Sequence, residues 1–158
     1  MRIIIIIIGL LCCSPCLYSQ KKQKELVRFV VLEANFNGTD YTDWALNKGN
    51  YLVFFLNEYD KLCFSNVTDG EQSHGLVLNI KHQEIEATNT IYAADHYTFR
   101  WGYSNTYDKK KGSALVELTK LYKEQAVAFE IKMVTENMDI LIYKGYMEGS
   151  VNLEQYYK

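Results

Sequence analysis

The chain has little of several features that mark particular classes of protein. It contains one proline and nine glycines among 158 residues, which excludes a collagen-like or proline-rich sequence. Nineteen acidic and 17 basic side chains give a formal charge of −2. A near-neutral chain lacks the basic face that binds a nucleic-acid backbone, so we expect no nucleic-acid partner.

Catalytic and cofactor motifs are also missing. The sequence has no G-x-S-x-G, no H-E-x-x-H and no glycine-rich phosphate loop. His74, His82 and His96 are too dispersed for a metal site, since an extended run from 74 to 82 spans about 26 Å. Glu84 and Glu86 have the separation used in glycoside hydrolysis, but any acidic pair two residues apart on a strand has it. We therefore expect no enzyme, no metal and no cofactor.

The N-terminal residues have the pattern of a secretory signal peptide. Arg2 precedes an apolar run over residues 3–16, with Pro15 near its end and the small residue Ser19 soon after it. A membrane-spanning helix needs about 20 apolar residues, and this run is shorter. We predict a signal peptide over residues 1–19, a secreted or periplasmic location and a mature form that does not span the membrane. An uncleaved membrane anchor is the alternative.

Removal of that segment leaves residues 20–158, which we predict to be a single β-rich domain. Three of the four cysteines leave with the signal peptide, so only Cys63 remains. A lone thiol cannot form an internal disulfide, and the domain must be held together by its hydrophobic core. Because Leu62 and Phe64 flank Cys63, we expect a buried thiol rather than a reactive one.

Short segments of alternating polar and apolar residues follow one another through the rest of the chain. They are rich in β-branched and aromatic residues and are separated by turn signals such as Asn37-Gly38, which is typical of antiparallel strands. Asp40 favours a short helix over residues 41–47. We expect a loop at 68–75, a weak strand within 84–92 and a mobile tail from residue 149. The predicted strands cover residues 26–36, 51–56, 61–66, 76–81, 97–103, 114–122, 127–133 and 140–146.

About eight strands joined by short links indicate an all-β, mostly antiparallel domain. We favour a barrel-like meander of lipocalin-like architecture with one short helix, because closure removes exposed sheet edges. A two-sheet β-sandwich is the alternative. In the segment 76–81, Leu76, Leu78 and Ile80 are expected to share the buried face, opposite Asn79 and Lys81.

The clearest strand carries an aromatic residue at every second position, and these four residues are our candidate ligand-binding set. Such a row has three interpretations. It can form part of the core, line a cavity that accepts an apolar ligand, or face outward as a stacking platform for sugars or peptides. The row consists of Tyr97, Phe99, Trp101 and Tyr103.

Several short stretches resemble small secreted proteins of flavobacteria. They are residues 99–103 (FRWGY), 107–108 (YD), 111–112 (KG) and 142–149 (IYKGYMEG). The resemblance implies a secreted or cell-envelope setting and no particular chemistry. The chain differs from lipocalins because no G-x-W motif stands on the first strand, where Trp44 follows Thr42-Asp43 instead.

From these features we expect a secreted or periplasmic, non-enzymatic module that binds a small apolar or amphipathic ligand. The alternative is a structural or protein-interaction module of the envelope, whose sheet edge or tyrosine surface pairs with another envelope protein.

Overall fold

The computed structural model describes residues 23–89, 92–123, 126–150 and 152–156. The predicted signal peptide, residues 1–19, lies outside the described residues. Within the described ranges, no helix has the length and apolar character needed to cross a membrane. The elements are β1 (Lys24–Phe36), β2 (Thr39–Asp40), α1 (Thr42–Asn47), β3 (Tyr51–Leu56), β4 (Leu62–Thr68), β5 (Glu71–Ile85), β6 (Ala94–Asn105), β7 (Lys111–Lys123), β8 (Ala126–Thr135), β9 (Ile140–Gly149) and a 3-10 turn (Leu153–Tyr156).

The strands form one closed antiparallel barrel. From β3 to β9 each strand pairs with the next along the chain, and the long strand β1 pairs with both β3 and β9. One edge of β1 pairs with β3 from Lys24, opposite Leu56, to Val30. The other edge pairs with β9 from Val27 to Phe36, which lies opposite Leu141. Eight strands therefore close the barrel, and β2 is a two-residue addition on β1. The predicted eight-stranded barrel with one short helix is confirmed, and the β-sandwich alternative is wrong.

Five phenylalanines fill the middle of the barrel. All five are fully buried, and they come from five different strands. The ring of Phe54 lies 5.6 Å from Phe29, 5.0 Å from Phe64 and 5.6 Å from Phe99, measured between centroids, and Phe129 lies 5.0 Å from Phe29. Burial of one such side chain contributes about 1.5–3 kcal/mol. This aromatic layer is the core that the domain needs in the absence of an internal disulfide.

Cys63 belongs to a second, smaller buried cluster with Val53 and Phe55. Desolvation raises the pKa of its thiol to about 11, so the thiol is protonated at neutral pH and is a poor nucleophile. The prediction of a buried, unreactive Cys63 agrees with this environment.

The connection predicted as a loop over residues 68–75 is instead a tight hairpin. Asp69 and Gly70 have φ angles of 55° and 79°, the left-handed pair that a two-residue hairpin turn requires. Strand β5 therefore starts at Glu71 and ends at Ile85. It includes the first two residues of the weak strand predicted within 84–92. The loop prediction is wrong because the polar residues 71–74 pair with β4 as a strand, and polar composition does not distinguish such a strand end from a loop.

The predicted inward face of the 76–81 segment is wrong for Leu76 and Leu78 and correct for Ile80. Val77 faces the interior with 9% exposure, while Leu76 and Leu78 are 43% and 50% exposed. A bulge interrupts the register between Leu78 and Lys81, where Asn79 has a φ of 55°. One extra residue reverses the alternation, so Ile80 again packs against the core.

The tail is ordered over residues 152–156, contrary to the predicted mobile tail from residue 149. Its 3-10 turn contacts β5, and the Leu153 side chain is 0% exposed within the main core cluster. The partly buried Tyr156 packs against the same cluster, and burial of these two side chains offsets part of the entropy of ordering the segment.

Two inward-facing glycines let neighbouring strands approach closely. A Cβ atom on Gly75 would lie 1.8 Å from the Gly102 carbonyl oxygen, and one on Gly145 would lie 1.9 Å from the Val30 carbonyl oxygen. Both contacts are with main chain, which cannot rotate away. Gly102 differs, because nothing lies within 4 Å of a Cβ placed there.

We predict that Gly75→Ala lowers the free energy of unfolding by about 1–3 kcal/mol or more, since the new methyl group must displace the β6 backbone. The matched control is Gly102→Ala on the facing strand, which should leave stability unchanged or slightly raised. Urea unfolding followed by circular dichroism measures both. Equal midpoints for the two variants would contradict the close approach of β5 and β6.

Candidate functional site

A cavity opens at the end of the barrel where β1 and β6 end. Its volume is about 690 Å³, which lies within the range of small-molecule sites in proteins. Its lining comes from the segment around α1 and from seven of the strands, namely β1, β4, β5, β6, β7, β8 and β9. The cavity therefore occupies the mouth of the barrel, above the phenylalanine layer.

Side-chain size along two paired strands explains why the interior is filled below and open above. In the β6–β7 register, Tyr97 faces Leu118, Phe99 faces Val116, Trp101 faces Ala114 and Tyr103 faces Gly112. The side chains of the paired β7 residues thus become smaller towards the mouth, from leucine to glycine. The four pairs point inward, and the small Ala114 lines the cavity beside Trp101. At Gly112 the Tyr103 ring takes the space, since a Cβ atom there would lie 2.7 Å from the Tyr103 hydroxyl oxygen.

The predicted aromatic row faces the interior of the barrel and divides between two environments. Tyr97 and Phe99 are buried in the core, as the first interpretation expected, whereas Trp101 and Tyr103 line the cavity. The Trp101 indole is fixed by donation from Nε1 to the Phe64 carbonyl oxygen at 3.0 Å, and its ring lies 4.6 Å from that of Tyr103. The outward platform does not form. A role in ligand binding remains a prediction for these residues.

Exposed aromatic side chains surround the mouth, and these were not predicted as site residues. Helix α1 carries Trp44, which is 50% exposed, and it is preceded by Tyr41. The helix is held on β1 by the buried side chain of Ala45 and by hydrogen bonds between Ala34 and the residues at its start. The available signal in the sequence was a tryptophan, Trp44, in the first turn of the short predicted helix. The rim aromatics are Phe36, Tyr41, Trp44 and Tyr107.

A chain of hydrogen bonds runs from behind the wall to the cavity. The side chain of the buried Asn50 donates from Nδ2 to the Asn66 Oδ1 at 2.8 Å, and Asn66 donates from Nδ2 to the Tyr143 hydroxyl at 3.1 Å. Both Asn66 and Tyr143 line the cavity. Burial raises the pKa of Tyr143, so its hydroxyl stays protonated across the physiological range.

Charge at the mouth is slightly negative. Three charged residues line the cavity, one basic and two acidic, which gives a formal charge of −1. The basic one, Lys48, forms an ion pair with Asp69 at 2.7 Å, and Glu71 accepts a hydrogen bond from the Thr106 hydroxyl. The described lining therefore holds no unpaired cation.

The opposite end of the barrel contains a compact polar cluster. Asp95 accepts hydrogen bonds from the Tyr122 hydroxyl and from His82 Nε2, the latter at 2.8 Å, and lies 3.6 Å from the ammonium group of the buried Lys120. Burial raises the pKa of Asp95, but these hydrogen bonds and the Lys120 charge outweigh it, and the pKa is lowered overall. The cluster satisfies its own charges within the protein.

The histidines do not come together in the structure. His82 bonds to Asp95, His96 bonds to the Thr119 hydroxyl at 3.0 Å, and the buried Nδ1 of His74 has no hydrogen-bond partner among the described residues. Glu84 lies within 4.8 Å of His82 and Glu154, counted between potential ligand atoms. Glu86 lies beyond the end of β5 and takes no part.

The grouping of His82, Glu84 and Glu154 is the single set of three potential metal ligands in the described part of the chain. Glu154 could not be associated with His82 from sequence, because only the packed tail brings them together. Both glutamates are exposed, a common arrangement of surface carboxylates, and His82 already uses Nε2 on Asp95.

Comparison of the chain with protein-family models, with curated proteins and with solved structures found no match. The inference of function therefore depends on the geometry of the cavity.

We predict that Asp95→Asn lowers the free energy of unfolding by about 2–3 kcal/mol at neutral pH, because it leaves the buried Lys120 without its counter-charge. Since the folded-state pKa of Asp95 lies below its ordinary value, this contribution is complete above that ordinary value and is lost as the pH falls through the folded-state value. The stability gap between wild type and variant should therefore close in strong acid.

Chemical denaturation at a series of pH values from 7 to 2 measures that gap. The exposed Asp43→Asn is the control, with little expected change at any pH. A gap for Asp95→Asn that stays constant down to the most acidic sample would contradict the assigned network.

Proposed function

We propose that the protein is a secreted or periplasmic, non-enzymatic binding module that holds a small amphipathic molecule in the mouth of its barrel. The observation that carries this proposal is the cavity of about 690 Å³, with an apolar interior and an aromatic rim. Ligand sites combine such apolar walls with a few placed polar groups, and the Asn50–Asn66–Tyr143 chain supplies those groups here.

The chemistry of the lining favours binding over catalysis. Its described residues include no histidine and no cysteine, and its carboxylates are engaged by Lys48 and Thr106. Trp101, Ala114, Met133 and Leu141 instead present surfaces suited to the hydrocarbon part of a ligand.

The proposed location rests on the sequence. The apolar run before Ser19 has the length and ending of a secretory signal, and a domain that contains a single buried thiol after residue 20 does not depend on disulfide formation or on a reducing compartment.

One observation favours the envelope-interaction module as a second candidate. Leu76, Leu78 and Leu115 are each more than 40% exposed on the outer face of β5 and β7, and Arg100 lies opposite both Leu78 and Leu115. A row of outward leucines can pack against another protein. Affinity capture from native envelope material separates the candidates, because a binding module should release small molecules on extraction, whereas an interaction module should retain a stoichiometric protein.

The two tryptophans of the chain give a direct test of the binding proposal, since Trp44 and Trp101 both line the cavity. Titration with the neutral fluorophore N-phenyl-1-naphthylamine should quench tryptophan emission by energy transfer and saturate at one probe per chain. Trp44→Phe and Trp101→Phe report the rim and the floor separately, and both signals should change at the same probe concentration. Absence of saturable quenching would reject the proposal.

A variant pair at adjacent positions localises the probe. Ala114 faces the cavity, and Leu115 faces outward on the same strand. We predict that Ala114→Phe, which adds a ring inside the cavity, weakens probe binding by at least about tenfold, equivalent to 1.4 kcal/mol. Leu115→Phe should bind as wild type does. Circular dichroism of both variants checks that the barrel is intact, and equal affinity in the two would place the probe elsewhere.

A further inference from the structure

We infer that the ligand of the cavity is an uncharged amphiphile whose acceptor oxygen, that of an alcohol, ketone or ester, is bound by the Tyr143 hydroxyl. This inference rests on the proposed function, since it names the class of molecule that the cavity selects.

The orientation of the Asn50 and Asn66 amides determines which way the Tyr143 hydroxyl donates. Asn50 Nδ2 lies 2.9 Å from the carbonyl oxygen of Val67, and a carbonyl can only accept, which fixes Nδ2 as the nitrogen. The same nitrogen donates to Asn66 Oδ1, so the other atom of the Asn66 amide is its nitrogen. Asn66 Nδ2 faces the Tyr143 oxygen at 3.1 Å, and that oxygen must act as the acceptor.

The hydroxyl proton of Tyr143 is therefore directed to a different partner. Tyr143 lines the cavity, its side chain is 7% exposed, and no described residue accepts a hydrogen bond from it. A buried donor is costly unless it is paired. An oxygen atom of a bound ligand satisfies it, and the amide chain behind it strengthens the donor by polarising the hydroxyl.

The charges at the mouth decide against an anionic ligand. Lys48 is held by Asp69, and Glu71 adds a negative charge to the lining. A carboxylate or phosphate that entered the cavity would lose its hydration and meet no free cation in the described lining. A neutral oxygen loses much less hydration and gains the bond to Tyr143.

The apolar surfaces determine the rest of the molecule. Trp101, Met133 and Leu141 line the same cavity as Tyr143, so an oxygen bound to Tyr143 is attached to a body that contacts hydrocarbon and indole surface. The selected class is then a neutral chain or ring system with one acceptor group, and a plain hydrocarbon would leave the Tyr143 proton unpaired.

Three probes of similar size test the inference by calorimetric titration of the full chain. They are 2-acetylnaphthalene, which carries a ketone, 2-isopropenylnaphthalene, in which a CH₂ group replaces that oxygen, and 2-naphthoate at pH 8. In the wild type we expect the ketone to bind about tenfold more tightly than either of the others. Equal affinities for ketone and hydrocarbon, or tighter binding of the carboxylate, would overturn the inference and leave the proposed function standing. Failure of all three probes to bind would reject the proposed function itself.

A pair of variants assigns the effect to one hydroxyl. Tyr143→Phe should abolish the ketone advantage, a loss of about tenfold for the ketone, and should change the hydrocarbon affinity by less than about twofold. Tyr146→Phe removes an exposed hydroxyl on the same strand, outside the cavity lining, and should keep the advantage. The reverse result would overturn the assignment to Tyr143. If Tyr143→Phe does not fold, the comparison of the three probes on wild type still decides the inference.

Discussion

Closure of the sheet through β1 is the constraint on which the other features of this structure depend. This strand of 13 residues pairs with β3 over residues 24–30 on one edge and with β9 over residues 27–36 on the other. An eight-stranded barrel closed in this way has an interior just wide enough for side chains or for one small ligand. At each height along the barrel axis, the size of the inward-facing side chains determines whether the interior is filled. Five phenylalanines fill the middle, and the cavity lies above them, where the small Ala114 on β7 is paired with Trp101 on β6.

The general architecture could be predicted from the sequence, because period-two alternation over many short segments reflects inward and outward positions on a strand. The row from Tyr97 to Tyr103 was recognised as a unit, and its inward direction became clear only with closure. Its division into core and cavity depends on the partner residues. The partner residues on β7 increase in size along the sequence, in the order Gly112, Ala114, Val116 and Leu118. Their effect on the interior can be recognised only when the β6–β7 register is known.

Other features depended on single residues that local patterns do not identify. The bulge at the left-handed Asn79 puts Val77 and Ile80, three residues apart, on the same inward face. Leu153 packs a tail into the core that composition alone indicates to be mobile. The Asn66–Tyr143 bond joins residues 77 positions apart, on strands that become near neighbours only when β9 returns to β1. Local propensity cannot report such pairs, because closure of the whole barrel creates them.

The two ends of the barrel use tyrosine hydroxyls in opposite ways, and this difference separates stability from binding. At the lower end the Tyr122 hydroxyl donates to Asp95, and this bond and desolvation raise the pKa of Tyr122 to about 12. Its donor is used within the fold, alongside the buried Lys120. At the upper end Tyr143 accepts from Asn66 and keeps its own donor for the cavity. A group whose hydrogen bonds are complete in the folded chain contributes to stability, whereas a hydroxyl proton that no described residue accepts is available to an acceptor oxygen in the cavity.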